Sequence, residues 1–382
     1  MKRLQLFFVL LCVALTAPAQ VVYEQISSEI LGADRQLKIQ LPRNYEKNAE
    51  KQYPLILIFD GDYLYEPVAG NVDYFSYWED MPEAVVVGVI QNDRDTDSYY
   101  EDVNFLPAEG GAAFMDFIGA ELLPMLEDKF RLAPFKMAVG HDLTANFISF
   151  DLLREDRMFQ AYMALSPDYS PRMQERLLNI IPTIEKPVFY YLATGGSDIS
   201  ALREDILPFH QELKAMNNDH FTYYFDDFEG ATHYSLAARA IPTALERLFA
   251  MYRPISKKEF KEEMLASTDS PYDYLTKKYE TVYKLFQLEN KIRVNDFNAA
   301  YAAIEKKEDW ASLELLGKLA RKTYPETMLG NYYLAYYHEQ VGEPKRALKE
   351  YQNAFLLQEI SFLTKDMMLE RGDKIKADFG YR

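Results

Sequence analysis

Cysteine is nearly absent from this chain, because only Cys12 occurs among its 382 residues. Cys12 lies in an N-terminal stretch with the pattern of a secretory signal peptide: two basic residues, an apolar core over 4–16 and the small-residue cleavage site Ala17-Pro18-Ala19. We expect residues 1–19 to be removed, so that the mature chain begins near Gln20. That chain has no cysteine, which excludes disulfides, thiolate catalysis and cysteine-ligated zinc.

Long apolar runs are also missing. No later stretch approaches the roughly 20 continuous apolar residues of a membrane span, and the apolar core of the signal peptide is itself too short. We therefore expect an exported protein, either periplasmic or secreted, with no membrane span.

Basic residues are scarce in the first part of the mature chain. Residues 20–255 carry 38 acidic and 19 basic residues, whereas residues 256–382 carry 21 of each. This change, in a chain too long for one ordinary core, predicts two domains that meet near residue 255. The acidic domain disfavours nucleic acid and anionic membranes and tolerates a small neutral or cationic ligand. Solubility outside the cytoplasm explains the same charge equally well.

Short apolar runs alternate with helical patterns in the first domain. Continuous apolar runs are typical of strands buried on both faces. Their alternation with helices predicts an α/β fold with a doubly wound, mostly parallel sheet. A hairpin at 21–30 and 35–41 precedes strands at 53–59, 84–90, 135–139, 161–165, 188–193 and 221–225, and helices are predicted at 112–126, 145–154, 171–180, 200–216 and 236–251.

Three loops that follow predicted strands carry candidate catalytic side chains. Loops at the carboxyl ends of parallel strands meet at one edge of the sheet, where active sites of this fold class lie. The three loops contain Gly140-His141-Asp142, then Thr194 to Asp198, then Glu229 to His233. The order nucleophile, acid, histidine is that of α/β-hydrolases.

Several short motifs occur in one consistent order along the first domain. They are Leu57-Ile58-Phe59-Asp60-Gly61-Asp62, Gly88-Val89-Ile90 with Arg94-Asp95, Val139-Gly140-His141, Ala164-Leu165-Ser166-Pro167 and His233. Through them, residues 21–250 resemble the putative esterase family of α/β-hydrolases, which includes esterase D-like and siderophore esterase-like proteins. The resemblance implies an α/β-hydrolase fold and an ester-like substrate.

The resemblance also implies which residues carry the reaction. His233 matches the catalytic histidine of the family. Asp198 matches the region of the acid that orients this histidine, although Glu204 and Asp205 are close enough in sequence to compete.

Other positions match the surroundings of the reacting group. The turn at Gly61 and Asp62 would offer one backbone N–H to an oxyanion, and the N–H of Leu143 would offer the other. His141 matches a position that the family often fills with histidine, and we interpret it as a structural residue beside the site.

Asp142 departs from the family, because it stands where the nucleophilic serine is expected, and Thr144-Ala145 replace the two glycines that normally follow. A carboxylate cannot use the acyl-serine mechanism. It can attack a saturated carbon, as in dehalogenases and epoxide hydrolases of this fold, or act with His233 as a general base toward water. It can also cap the next helix or be the remnant of a lost site. A hydrolase and an inactive hydrolase fold that binds a ligand or protein both stay open.

Other candidate sites are weaker. Asp93, Asp95 and Asp97 alternate as in a calcium loop, but the glycine and glutamate that such a loop needs are missing. His210 and His220 have no partners at metal-ligand spacing. We predict no metal and no cofactor.

Aromatic residues cluster after the Asp60-Gly61 turn. They could line a cleft for a sugar or aromatic ligand, but packing over the sheet is the preferred interpretation. The cluster comprises Tyr63, Tyr65, Tyr74, Phe75, Tyr77 and Trp78.

From Ser256 onward the patterns are helical only. Residues 331–358 resemble a tetratricopeptide repeat, with Gly342 in the turn between two helices, and a less regular pair spans 296–324. With helices at 257–265 and 271–288 they predict one small all-α, tetratricopeptide-like domain over 256–382. It could bind a protein partner in a groove or serve equally as a brace on the first domain.

Overall fold

The computed structural model describes residues 21–381, so the predicted signal peptide lies outside the described residues. Eight strands form one sheet: β1 Val21–Ser28, β2 Ala33–Gln40, β3 Tyr53–Ile58, β4 Val85–Ile90, β5 Leu132–His141, β6 Ala161–Leu165, β7 Val188–Ser197 and β8 Phe221–Thr232. Their spatial order is β1-β2-β4-β3-β5-β6-β7-β8. The β1/β2 and β2/β4 pairs are antiparallel, and every other neighbouring pair is parallel.

Fifteen α-helices surround and follow this sheet within the described residues. They are α1 Tyr65–Tyr77, α2 Arg94–Asp97, α3 Glu109–Phe117, α4 Leu123–Lys129, α5 Leu143–Leu152, α6 Met173–Ile180, α7 Ser200–Ala215, α8 His233–Leu248, α9 Lys257–Glu259, α10 Pro271–Phe286, α11 Val294–Lys307, α12 Trp310–Thr323, α13 Leu329–Gln340, α14 Pro344–Phe355 and α15 Lys365–Phe379. A π-helical turn, Ile118–Leu122, joins α3 to α4, and a second, Phe260–Met264, follows α9.

The sheet is covered on both faces, as its apolar strands require. β3 and β6 are buried along their whole length. One core lies between the sheet and helices α3 to α7, and another between the sheet and α1, α8 and the end of α10. The predicted doubly wound α/β fold is confirmed.

Helix α1 was not predicted, and it contains most of the aromatic cluster. Tyr65 is fully buried against the sheet, whereas Tyr74, Tyr77 and Trp78 are exposed. The cluster is therefore divided between packing and surface, and Tyr63, which is also partly exposed, lies before α1 with its hydroxyl against Asp60 and His141.

The residues after 256 form a helical region with its own core. Helices α11 and α12 pack together, as do α13 and α14, and Gly342 adopts φ +75° in the turn between the latter two. Helix α15, which was not predicted, packs on α14 and closes the region. No helix among residues 21–381 is long and apolar enough to cross a membrane.

Helix α10 belongs to two cores. Leu275 packs in the core of the helical region, while Val282 and Phe286 pack in the core beside the sheet. The Phe286 ring lies 5.2 Å from that of Phe135, 5.3 Å from that of Phe249 and 5.8 Å from that of Phe189, measured between ring centroids. The boundary near residue 255 stays a prediction. Helix α10 follows it in sequence but packs partly in the core beside the sheet.

Candidate active site

Asp142 occupies a sharp turn between β5 and α5. Its backbone has φ +60° and ψ −119°, a conformation that costs a residue with a side chain on the order of 1–3 kcal/mol. Gly140 permits the close approach of the helix, because a Cβ there would lie 2.5 Å from the carbonyl oxygen of Thr144. The elbow is therefore fully formed although Thr144-Ala145 replace the expected glycines.

Thr144 has a bonding role of its own. Its hydroxyl accepts the N–H of His141 at 2.9 Å and donates to Asp60 Oδ2 at 2.6 Å. Thr144 thus ties the elbow to the loop that follows β3.

The carboxylate of Asp142 faces the cleft and does not cap α5. No backbone N–H of that helix donates to it. Its Oδ2 accepts a hydrogen bond from Arg94 Nη1 at 3.1 Å, and its Oδ1 lies 4.0 Å from His233 Nε2. The side chain is 21% exposed, so solvent and small ligands can reach it.

His233 is the first residue of α8, whose N-terminus is closed by reciprocal hydrogen bonds between Thr232 and Ser235. Its Nδ1 lies 2.8 Å from Oδ1 of Asp198, a fully buried carboxylate just after β7. Because a carboxylate only accepts, Nδ1 carries a proton, and in the neutral imidazole the lone pair is therefore on Nε2, the nitrogen on the side of Asp142.

Among the three acids that compete in sequence, the structure places Asp198 against His233. Glu204 and Asp205 are exposed on α7. Burial raises the pKa of Asp198, but hydrogen bonds from His233, Ser166, the Ile199 N–H and Thr194 outweigh it and hold the pKa well below its ordinary value. Asp198 is therefore a permanent anion beside the imidazole.

Arg94 joins two carboxylates that sequence reasoning did not connect. Its Nε and Nη2 donate to Asp60 at 2.6 and 3.2 Å, while Nη1 donates to Asp142. Nη2 also donates to the carbonyl of His141 at 2.8 Å. Burial alone would lower the pKa of Arg94, but its bonds to Asp60 and Asp142 raise it above the ordinary value. The guanidinium of Arg94 is therefore always charged and pairs with the carboxylates of both Asp60 and Asp142.

His141 packs against the imidazole of His233 and bonds its backbone. Its Nε2 donates to the carbonyl oxygen of His233 at 3.2 Å, its Nδ1 lies 3.0 Å from the Tyr63 hydroxyl, and the two imidazole rings are 4.4 Å apart. Burial, together with the charge of His233, lowers the pKa of His141 to about 4. It is therefore neutral at neutral pH and can both donate and accept.

The turn of Asp60, Gly61 and Asp62 was predicted to offer a backbone N–H to an oxyanion, and that role stays a prediction, but Gly61 itself is not the donor. The Gly61 N–H donates to the Val89 carbonyl at 2.9 Å, and a Cβ at this position would lie 2.8 Å from the backbone of Gly88. Gly61 therefore serves the packing of the sheet, and its N–H is not free for a ligand. Asp62 is exposed beside it, and Leu143 begins α5 next to Asp142.

The remaining sequence candidates lie outside this arrangement. Asp93 caps α2, and Asp97 pairs with buried Arg35 at 2.8 Å. Within residues 21–381 no group of three or more His, Cys, Asp or Glu side chains could hold a metal ion. His210 of α7 stacks on Phe225 of β8, with ring centroids 3.8 Å apart.

Comparison with known proteins agrees with this fold. Residues 28–249 match the family described as putative esterase. An uncharacterised protein from Capnocytophaga ochracea is 30% identical, with a TM-score of 0.87 over 94% of this chain and 100% of its own. The fold is also shared with an IroE-like serine hydrolase from Shewanella oneidensis (18% identity, TM-score 0.61, 79% and 99% covered) and with the siderophore hydrolase EstA from Aspergillus nidulans (15%, 0.53, 62% and 96%). No curated protein matches the chain. With more than half of its length matched, the chain belongs to the putative esterase family of hydrolase-fold proteins.

Proposed function

We propose that this protein is an exported hydrolase of ester-like substrates in which Asp142, His233 and Asp198 are the catalytic residues. One observation carries the proposal: Asp142 Oδ1 faces His233 Nε2 across 4.0 Å, and Asp198 holds the opposite side of the imidazole. Asp142 replaces the serine of the family at this elbow.

The gap between the two groups fits one water molecule. Two hydrogen-bond acceptors that face each other need a proton donor between them. A water about 2.8 Å from each atom would subtend an angle of roughly 90°, which suits the two O–H bonds of one molecule. Such a water would donate one proton to Nε2 and the other to Oδ1.

This water is the nucleophile in the proposed reaction. His233 takes one proton as the water oxygen bonds to the ester carbonyl carbon, and Asp198 stabilises the resulting imidazolium. The alkoxide then leaves with the proton from Nε2, which gives an acid and an alcohol. Asp142 orients the water and need not form a bond to carbon.

A covalent route is the competing mechanism. Attack of Asp142 on an ester carbonyl would form an anhydride, and attack on a saturated carbon would form an enzyme-bound alkyl ester. Arg94 shares the negative charge of Asp142 and so weakens it as a nucleophile, which favours the water route. Label found in Asp142 after a single turnover in ¹⁸O water would establish the covalent route, because the water route leaves both oxygens of Asp142 unlabelled.

A second function rests on the same ion pair. Arg94 could hold Asp142 in a purely structural network, and the fold would then bind a ligand or partner without turnover. The hairpins α11/α12 and α13/α14, which resemble tetratricopeptide repeats, would supply the surface for a protein partner. Export depends on the predicted signal peptide, and the N-terminal sequence of the processed protein tests cleavage near Gln20.

The deciding experiment is hydrolysis of a panel of short-chain aryl esters by the purified protein. We expect turnover that falls at least 100-fold in His233→Ala, since general bases contribute about 10²–10⁴-fold. His210→Ala, which changes a histidine outside the cleft, is the matched control and should keep full activity. Turnover by wild type that survives His233→Ala refutes the proposed residues, and no turnover on any ester supports the binding function.

Asp142→Ser is the complementary variant. It restores the residue that the family uses at the elbow while leaving Asp198 and His233 in place. A burst of acyl-enzyme in this variant, absent from wild type, would separate the serine mechanism from the water mechanism.

A further inference from the structure

Negative charge in the candidate cleft exceeds positive charge. The carboxylates of Asp60 and Asp142 share the single guanidinium of Arg94, which leaves one negative charge. Asp198 adds another beside His233, which must be uncharged to act as the base of the proposed reaction, and His141 adds no positive charge. A serine at position 142 would carry one charge less.

Asp168 adds a further carboxylate at the edge of this cleft. Its backbone N–H donates to the carbonyl oxygen of Asp142 at 3.2 Å, which fixes Asp168 directly beside the elbow. Among residues 21–381 its carboxylate has neither an ion-pair nor a hydrogen-bond partner. Burial, with the charges of Asp142 and Asp205, raises the pKa of Asp168.

The exposed aromatic ring of Tyr234 lies beside the same cleft, next to His233. Tyr234 follows His233 directly, is 85% exposed, and its ring meets the imidazole edge-to-face with centroids 5.4 Å apart. A side chain of this size exposed beside a reacting group is free to contact a ligand. A carboxylate and an aromatic face together are the usual partners of an ammonium group.

We propose that the cleft selects esters that carry an ammonium group near the scissile bond, and that Asp168 determines this selectivity. The inference rests on the proposed esterase function and names its substrate class. An ammonium beside Asp168 offsets the uncompensated charge, and it also offsets the negative charge that develops on the carbonyl oxygen during attack by water. Anionic esters would meet repulsion in the same cleft.

Acetylcholine and 3,3-dimethylbutyl acetate test this selectivity, because they differ only in a quaternary nitrogen against a quaternary carbon. We expect wild type to favour the cation at least 10-fold in kcat/KM, mainly through KM, and the preference to shrink as salt is raised. In Asp168→Asn the ratio should fall toward one. Asp219→Asn, which removes an exposed acid outside the cleft, should keep the ratio of wild type.

A binding measurement separates this inference from the esterase proposal. Choline and 3,3-dimethylbutan-1-ol are titrated into wild type and Asp168→Asn by calorimetry. Preferential choline binding that is lost in Asp168→Asn supports the inference even where no ester is hydrolysed, in which case only the esterase proposal fails. Ester hydrolysis with a cation-to-neutral ratio below about 2, or a preference unchanged in Asp168→Asn, overturns the inference alone.

Discussion

The sheet region and the helical region use backbone strain differently. In the sheet region three residues with positive φ, Asp60, Asp142 and Ser166, follow β3, β5 and β6 and lie at the candidate site. In the helical region Gln287 and Glu308 also have positive φ, but they end α10 and α11, where a left-handed residue is an ordinary way to stop a helix. Within residues 21–381, the sheet region thus places three of its seven non-glycine residues with positive φ at the candidate site, whereas the helical region has such residues at two helix ends and, at Ser361, in the turn before α15.

The two regions also differ in what their polar side chains do. At the carboxyl ends of the strands, Arg94, Asp60, Tyr63 and His141 form a connected network that positions a carboxylate against an imidazole. In the helical region the buried polar residue Asp296 accepts the N–H of Ile255 and the Tyr279 hydroxyl, which joins segments of the chain. The proposed chemistry belongs to the sheet region, whereas Asp296 in the helical region uses its carboxylate to join segments of the chain.

The largest expected effect tests whether the two regions are independent. Phe286→Ala removes a fully buried ring that α10 places against the sheet, and we expect a loss of about 3–5 kcal/mol in the free energy of unfolding. Because α10 joins both cores, urea denaturation should show both regions losing stability together. Phe379→Ala, at an exposed position of α15, is the control and should change little. Unfolding of the helical region alone would break the interpretation that α10 couples the regions.

A pH experiment tests the neutral state of His141. An unfolded histidine has a pKa near 6.5, and His141 has one of about 4, so between these values the unfolded chain binds the extra proton. This titration leaves the free energy of unfolding unchanged above pH 6.5 and lowers it as the pH falls from 6.5 toward 4, by a total of about 3 kcal/mol. Urea midpoints at pH 7 and 4.5 should therefore differ less in His141→Gln than in wild type. An identical pH dependence in both proteins would show that His141 is not held neutral.

The smallest effect measures strain directly in both regions. At position 142 we expect the glycine variant to be more stable than the alanine variant by about 1–3 kcal/mol, because both lack the carboxylate and glycine adopts this backbone without the strain that a Cβ introduces. At position 308, which has φ +53° and ψ +33°, the same pair should differ by only about 1 kcal/mol. Thermal unfolding of the four variants gives both differences. Equal values at the two positions would show that the elbow is no more strained than a helix end.

Much of the fold could be predicted from sequence, because buried strands and amphipathic helices have distinct periodicities. Helix α1 was missed because its aromatic residues are exposed as well as buried, which obscures a single apolar face. Helix α15 was missed because charged residues dominate it and Gly372 interrupts its pattern. Loop order pointed to Asp198 and His233 as neighbours, since both follow strands that end at one edge.

The contacts of Asp142 could not be predicted in the same way. Arg94 and Thr144 reach Asp60 from the first turns of α2 and α5, and those distances depend on how the whole sheet assembles. The Gly61 turn matched a motif, but its N–H was already required by the neighbouring strand. A motif identifies residue types at a turn, and only the surrounding hydrogen bonds decide which groups remain available.

The dual packing of α10 has a consequence for exchanging parts between related proteins. A cut near residue 255 would remove Phe286 and leave an open hollow lined by Phe135, Phe189 and Phe249. A transplanted hydrolase part should therefore retain α10 up to Leu288, and the partner part must then supply a new apolar face for Leu275. The part that could be transplanted therefore includes α10, although charge composition assigns this helix to the C-terminal domain.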